Sequence, residues 1–281
     1  MKAIGIGLLL AASLAAQTFI QMSDPQFGMY SKDRGFEHET VNFEFAIASA
    51  NRLKPAFVVI TGDLINQAGN AAQAAEYKRI AAKLDRSIPL YSMPGNHDVN
   101  NEPTRESLAW YREHFGPDYY TFRSGDMEGV VLNSNLEKGT KDVPDEAAKM
   151  EAWLRAELKK ARLAGVKRII VFQHIPLFMK DAGEEETYDN IPPDVRKRYL
   201  ALLHEYRVEY VFSGHNHAAA LDAHEGALTQ VVTGPVGLPL KGGKSGFRVV
   251  SVTTEGVSHQ YFDFAELPDT LAAEILPPVA K

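Results

Sequence analysis

Five short segments carry the side chains best suited to chemistry: Asp24-Pro25-Gln26, Gly62-Asp63, Gly95-Asn96-His97-Asp98, Gln173-His174 and Gly214-His215-Asn216-His217. Aspartate, asparagine and histidine together bind divalent metals of intermediate hardness, and these segments hold four histidines. The chain has no cysteine, so disulfides, thiolate nucleophiles and thiolate-rich metal sites are excluded. Any metal must be held by oxygen and imidazole. Glycines ahead of Asp63, Asn96 and His215 let the backbone turn sharply enough for a short side chain to reach an ion. Taken singly, His174, His215 or His217 would more often be a satisfied polar residue at a sheet edge. The joint pattern is what points to a metal.

Each segment directly follows a stretch expected to be a buried strand. Gln17 to Met22 reads as the first strand, and Ala56 to Ile60 is a short apolar run between Pro55 and Gly62. Ile88 to Met93, ended by Pro94-Gly95, is the third. Helices are expected over Glu37 to Leu53, with Val41, Phe45, Ala48 and Leu53 on one face, and over Ala71 to Leu84. This alternation is the signature of a parallel sheet covered by helices. Further on come strands near Tyr119–Phe122, Val130–Leu132, Arg168–Phe172 and Val208–Phe212, with helices at Glu146–Ala164 and Pro193–Tyr206. Leu228–Thr233, Phe247–Thr253 and Val257–Phe262 follow without helices between them, which predicts a second, more antiparallel sheet. Ligands of open α/β sheets bind beyond the carboxyl ends of the strands, so five polar segments at five strand ends converge on one rim.

The chain has 281 residues, 45% hydrophobic and 23% charged, with no linker or internal repeat, which fits one domain over residues 17–281. Its net charge of −6 gives no reason to expect nucleic acid or an anionic membrane as partner. An anionic substrate would need locally concentrated positive charge. Residues 1–16 fit an export signal: Lys2, the small and apolar run Ala3 to Ala12, then Ser13-Leu14-Ala15 as a small-x-small cleavage site. The run is too short for stable membrane insertion. The mature chain is therefore expected to be periplasmic or secreted.

The ordered segments resemble the calcineurin-like metallophosphoesterases, whose pattern is Asp-x-His, Gly-Asp, Gly-Asn-His-Asp or Glu, a lone His, then Gly-His-x-His. The likeness runs from Asp24 to His217. Within that superfamily, Ser23-Asp24-Pro25-Gln26-Phe27-Gly28, Phe172-Gln173-His174-Ile175-Pro176-Leu177-Phe178 and Val211-Phe212-Ser213-Gly214-His215 look like the calcineurin-like phosphoesterase domain-containing serine/threonine phosphatase group. The resemblance implies an α/β (α+β) fold, a four-layer αββα sandwich of two mixed sheets flanked by helices. It also implies two divalent ions, drawn from Mn, Fe, Zn or Mg. Asp24, Gln26, Asp63 and His217 would hold the first; Asp63, Asn96, His174 and His215 the second, with Asp63 bridging. His97 would sit over the leaving group as acid or charge stabiliser, and Asp98 would orient a neighbour. Two ions about 3.5–4 Å apart can share a hydroxide and clamp the attacking and leaving oxygens. Their +4, with −2 from Asp24 and Asp63 and −1 from the hydroxide, leaves +1 to attract a phosphate. The implied activity is hydrolysis of a phosphomonoester, as a small molecule or a phosphoprotein. The alternatives are a cyclic or linear phosphodiesterase on the same ions and a non-catalytic metal-binding relative.

Three positions, Gln26, Asn66 and Gln67, depart from the patterns of related groups. Asn66 stands where purple acid phosphatases place an iron-binding tyrosine, and Asn66-Gln67 replaces the Asp-Arg of cytosolic serine/threonine phosphatases. The usual carboxylate partner of the catalytic histidine and a phosphate-binding arginine are both missing. Outside the five segments, Tyr188, Asp189 and Asn190 are candidates for a lid, and Lys241 and Lys244 for substrate contacts, although ordinary loop lysines suit that Gly-rich stretch better. His38, His114, His204, His224, His259 and the run Glu184-Glu185-Glu186 are expected on solvated surface. Gln26 replaces the family's histidine with a harder amide oxygen, which should weaken the first site and shift it from Zn²⁺ towards Mn²⁺ or Mg²⁺. Titration calorimetry should therefore find two unequal zinc sites; two equally tight ones would refute the assignment.

Overall fold

The computed structural model describes residues 17–218, 221–240, 242–271 and 276. The expected export signal at 1–16 and Lys241 lie outside these residues. Three parallel strands, β1 (Gln17–Met22), β2 (Val58–Ile60) and β3 (Leu90–Ser92), start the first sheet. They alternate with helices α1 (Glu37–Leu53) and α2 (Ala71–Ala81). A one-turn helix α3 (Asn96–Val99) and α4 (Arg105–Phe115) lead to β4 (Tyr120–Ser124) and β5 (Met127–Val131). Then come α5 (Asn135–Lys138), α6 (Pro144–Leu163), β6 (Arg168–Phe172), α7 (Pro193–Glu205) and β7 (Tyr210–Ser213). The chain closes with β8 (Leu221–Glu225), β9 (Leu228–Val232), β10 (Gly246–Val252) and β11 (Val257–Asp263).

Two mixed sheets result, ordered β11-β10-β1-β2-β3 and β4-β5-β6-β7-β9-β8 and flanked by helices. The three C-terminal strands expected to form a second, more antiparallel sheet are instead divided between the two sheets. β10 pairs antiparallel with β1, and β9 pairs parallel with β7, so each sheet is finished by a C-terminal hairpin. Between the sheets lie Phe19, Phe57, Phe172, Phe212 and Val250, with the Phe19 and Phe57 rings stacked at 4.5 Å. Full burial of each such side chain contributes roughly 1.5–3 kcal/mol. Their neighbours Ile20, Met22, Val58, Ile60, Val171 and Val211 belong to the helix-side core, as the period-two alternation of strands requires.

On α1 the buried face is Phe43, Ala46, Ile47, Ala50 and Leu53, whereas Val41 and Phe45 are exposed. Two stripes with helical spacing compete on this helix, and the one carrying Phe43 and Ile47 takes the core. Asn70 caps α2 by accepting from the Ala72 and Gln73 N–H groups. Neither α4, whose buried stripe is only Leu108 and Tyr111 with the small Ser107, nor the short edge strand β8 carries a clear pattern in the sequence. His259, expected on the surface, is mostly covered and takes an N–H from the buried Arg248 on Nδ1 at 2.7 Å.

Glu137, on α5, is buried, and neither carboxyl oxygen has a hydrogen-bond partner among the described residues. Burial, then the charge of Glu151, pushes its carboxyl up to about 8. The folded chain thus keeps a proton that the unfolded chain gives up near pH 4.5. Stability should fall as pH rises between those values, by up to about 1.4 kcal/mol per pH unit. Urea midpoints at pH 5 and 7.5 should therefore converge in Glu137→Gln relative to the parent; an unchanged slope would mean that Glu137 is ionised in the fold.

Candidate metal centre

Strand register brings the five segments together. Met22 pairs with Ile60, Ile60 with Ser92, and Phe172 with Phe212, so the carboxyl ends stand level within each sheet. Beyond the strands the loops stay tied: Asp24 N–H donates to Gly62 O, Gln26 N–H to Asp63 O, and Gly214 N–H to His174 O. Gly237 N–H donates to Asp24 O. Asp24, Gln26, Asp63, His215 and His217 all have positive φ, half of the ten non-glycine residues that do among those described. For residues other than glycine this costs on the order of 1 kcal/mol each and concentrates at functional sites. Gly95 and Gly214 serve a different need from sharp turning. A Cβ on Gly95 would overlap Asp63 Oδ1, and one on Gly214 would overlap Ser23 Oγ.

Two clusters form around one shared carboxylate. Asp24, Asp63 and His217 place one ligand atom each within 4.8 Å of one another, and Asp63, His174 and His215 do the same. In the first cluster His217 Nε2 lies 3.2 Å from Asp24 Oδ1. Gln26 is fully buried; its Nε2 donates to Asn66 Oδ1 at 3.1 Å while its Oε1 has no partner. In the second, His174 Nε2 stands 3.3 Å from Asp63 Oδ2, 3.1 Å from Asn96 Oδ1 and 3.2 Å from His215 Nδ1.

The other nitrogen of each histidine sits against a main-chain carbonyl. His174 Nδ1 meets Thr61 O at 2.8 Å, His215 Nε2 meets Tyr188 O at 3.0 Å, and His217 Nδ1 meets Leu238 O at 2.7 Å. A carbonyl only accepts, so each fixes a proton on that nitrogen and aims a lone pair inward, the usual arrangement behind metal-bound imidazole. Asn96 spends its amide N–H groups on Asn101 Oδ1 (3.1 Å) and the Tyr188 hydroxyl (2.8 Å), which leaves its oxygen facing His174. Among the described residues no lysine or arginine hydrogen-bonds any of the seven candidate ligands. Buried lone pairs 3.1–3.3 Å apart repel unless a proton or cation lies between them, and the unpartnered Gln26 oxygen asks for the same. The residues fit two divalent ions sharing Asp63.

Without ions, protons partly fill that role. Burial alone would raise the Asp63 carboxyl, yet His174 and His97 hold it below the usual carboxylate range. Burial opposes charge on His174 as well, but Asp63 and Asp24 raise it to about 9. Burial and the neighbouring His174 lower His215 to about 4.

His97 donates its backbone N–H to Asp63 Oδ1 at 2.9 Å, and its ring Nδ1 meets Asn66 O at 2.9 Å. Its Nε2 has no hydrogen-bond partner among the described residues. Asp98 is buried and accepts from the N–H groups of Leu64, Ile65 and Gly95 at 2.7–3.1 Å, bracing the Asp63 loop against the His97 turn. Burial, then Asp63, pushes its carboxyl up, and the three N–H donors pull the other way. Tyr188 reaches the site and Asn190 is buried behind it. Lys244 instead pairs with Asp263 at 2.5 Å, and His38 stacks on Tyr30. The carbonyls of Thr61, Asn66, Tyr188 and Leu238 had no sequence signal, because every residue has a carbonyl. A cavity of about 660 Å³ among Gln17, Lys54, Met127 and Arg168 opens at the amino ends of β1 and β6, away from this centre.

Comparison with known proteins agrees with this geometry. The calcineurin-like phosphoesterase family profile matches residues 18–219. Serine/threonine-protein phosphatase CPPED1 of Bos taurus is 35% identical over 266 residues, covering 89% of this chain and 85% of that protein. A dimetal phosphatase from Danio rerio superposes with a TM-score of 0.64 at 14% identity, over 87% of this chain and 95% of that one. GAP50, described as the anchor in the inner membrane complex of Plasmodium, does so with 0.63 at 12%, over 88% and 84%. These last two show a shared fold. With the ordered ligand segments inside the matched region, this chain belongs to the calcineurin-like phosphoesterase family and hydrolyses phosphate esters.

Proposed function

We propose that the chain is a phosphomonoesterase whose substrates include phosphoproteins, using two divalent ions held by Asp24, Gln26, Asp63 and His217 and by Asp63, Asn96, His174 and His215. The observation that carries this reading is the shared Asp63 between two buried sets of inward-facing lone pairs. A bound ion pair of this kind activates water and neutralises charge on the phosphoryl group. The chain's own residues do the rest. Asp63 joins the two sets, and its other oxygen is tied to the His97 N–H. That bond and the Asn66 carbonyl hold the His97 ring in one orientation and tautomer. His97 Nε2 can then give a proton, or a hydrogen bond, to the departing ester oxygen.

The identity with CPPED1, named a serine/threonine-protein phosphatase, supports phosphoprotein substrates. Gln26 supports Mn²⁺ or Mg²⁺ at the first site, since its amide oxygen is a harder donor than imidazole. The composition of residues 1–16 supports an exported, periplasmic or secreted enzyme.

Aryl phosphate should be hydrolysed faster than bis-aryl phosphate after reconstitution with Mn²⁺. The reverse order would make the enzyme a diesterase, and inactivity on both would remove the catalytic reading. His97→Ala should lose about 100-fold or more in kcat while still binding two ions by metal analysis; unchanged turnover would take His97 out of the mechanism.

A further inference from the structure

The segment between β6 and α7 begins at Gln173 and has no regular structure until Pro193, yet it is heavily braced. Arg196 is fully buried and donates to the carbonyls of Ala182 (2.9 Å), Glu184 (2.7 Å) and Ile191 (2.8 Å). Glu184, expected in solvent, instead accepts the N–H groups of Met179 and Lys180 at 2.7 and 2.8 Å. Asn190 donates to Glu184 Oε1 and accepts the Thr187 N–H, while Lys138 Nζ donates to both the Thr187 and Asn190 carbonyls. Residues 187 and 190 are thus clamped on either side of Tyr188, which is itself 54% exposed. So much bracing does little for the core when the residue at its centre is half in water.

Tyr188 meets the centre through three of its parts. Its hydroxyl oxygen accepts from Asn96 Nδ2 at 2.8 Å, and its main-chain carbonyl accepts from His215 Nε2 at 3.0 Å. Its ring lies 4.8 Å from the His215 ring, tilted by 33°. Asn96 and His215 belong to the second set of ligands, and Tyr188 hydrogen-bonds none of Asp24, Gln26 and His217. An amide can be turned end for end at little steric cost, so the acceptors on its nitrogen decide which way its oxygen points. For Asn96 those acceptors are Asn101 and Tyr188.

We propose that Tyr188 is a positioning residue for the second metal ion, and that through it the strap of residues 179–192 sets the affinity of that ion separately from the first. This rests on the two-ion reading above. Removal of such outer partners typically costs 10–100-fold in metal affinity.

The test is calorimetric titration of the metal-free protein with Mn²⁺. The parent should show two binding events, and His217→Ala should weaken the one belonging to the first site. Tyr188→Phe, which keeps the ring and the carbonyl, should weaken the other event about 10-fold and leave the first unchanged. Tyr188→Ala should weaken it at least as much. Raising Mn²⁺ by the same factor should restore Tyr188→Phe turnover, which loss of a substrate contact would not allow. Equal weakening of both events, or of neither, overturns the proposal while leaving the two-ion reading intact. Absence of Mn²⁺ binding that depends on Asp63, tested with Asp63→Asn, overturns the two-ion reading itself.

Discussion

The structure turns on the burial of Asp63 between two groups of atoms that cannot tolerate one another alone. Its carboxylate is within reach of His174, His215, Asp24 and His217, all of them buried. Placing two carboxylates and three inward-facing imidazole nitrogens in so little space is unfavourable unless positive charge joins them. In the bare protein a proton on His174 supplies part of that charge. Divalent ions supply more of it, and at both sets rather than one. The centre therefore favours cations on a chain whose net charge is −6.

Holding such a group of side chains together opposes the relaxation of the loops that carry them, so the scaffold has to be rigid. The inter-sheet aromatic core and the level strand ends provide this: the ligand loops leave the sheets already in register. Left-handed backbone at five candidate ligand residues would relax in an isolated peptide. Here the tied loops, the Asp98 carboxylate on three N–H groups and the close approach required at Gly95 and Gly214 leave it nowhere to go. Asp98 thus braces its neighbours through their backbone N–H groups.

What was legible in the sequence follows from this division of labour. Ligands need particular side chains after particular strands, so Asp24, Asp63, Asn96, His174, His215 and His217 stand out by type and spacing, and the strands before them by apolar runs. The groups that orient those ligands are mostly main-chain carbonyls, which any residue supplies. The partition of the last strands between two sheets was hidden for another reason: β9 and β10 are both apolar enough to be central, and alternation along a strand says which face is buried but not which neighbour pairs with it. On α1, two stripes of helical spacing were compatible with the pattern; the one carrying Phe43 and Ile47 packs, while Val41, Phe45 and Ala48 face solvent. Glu184 looked like part of a solvated charge run because nothing in its neighbours announces three converging N–H groups.

Two of the departures, Gln26 and Asn66, form one structural unit. Gln26 and Asn66 are hydrogen-bonded to each other, Nε2 to Oδ1, and the Asn66 carbonyl holds the His97 ring. Asn66 is fixed in turn by Asp33, which accepts its Nδ2 at 2.8 Å, and by Gln73, which accepts its N–H at 3.1 Å. The Gln26 amide answers Asn66 Oδ1 with an N–H and leaves its own buried oxygen without a partner. A carboxylate partner for His97 would bring negative charge to a site whose task is to gather phosphate, whereas a carbonyl fixes the ring and adds none. Asn66 therefore ties the buried Gln26 amide to the His97 ring, one contact through its side chain and the other through its carbonyl.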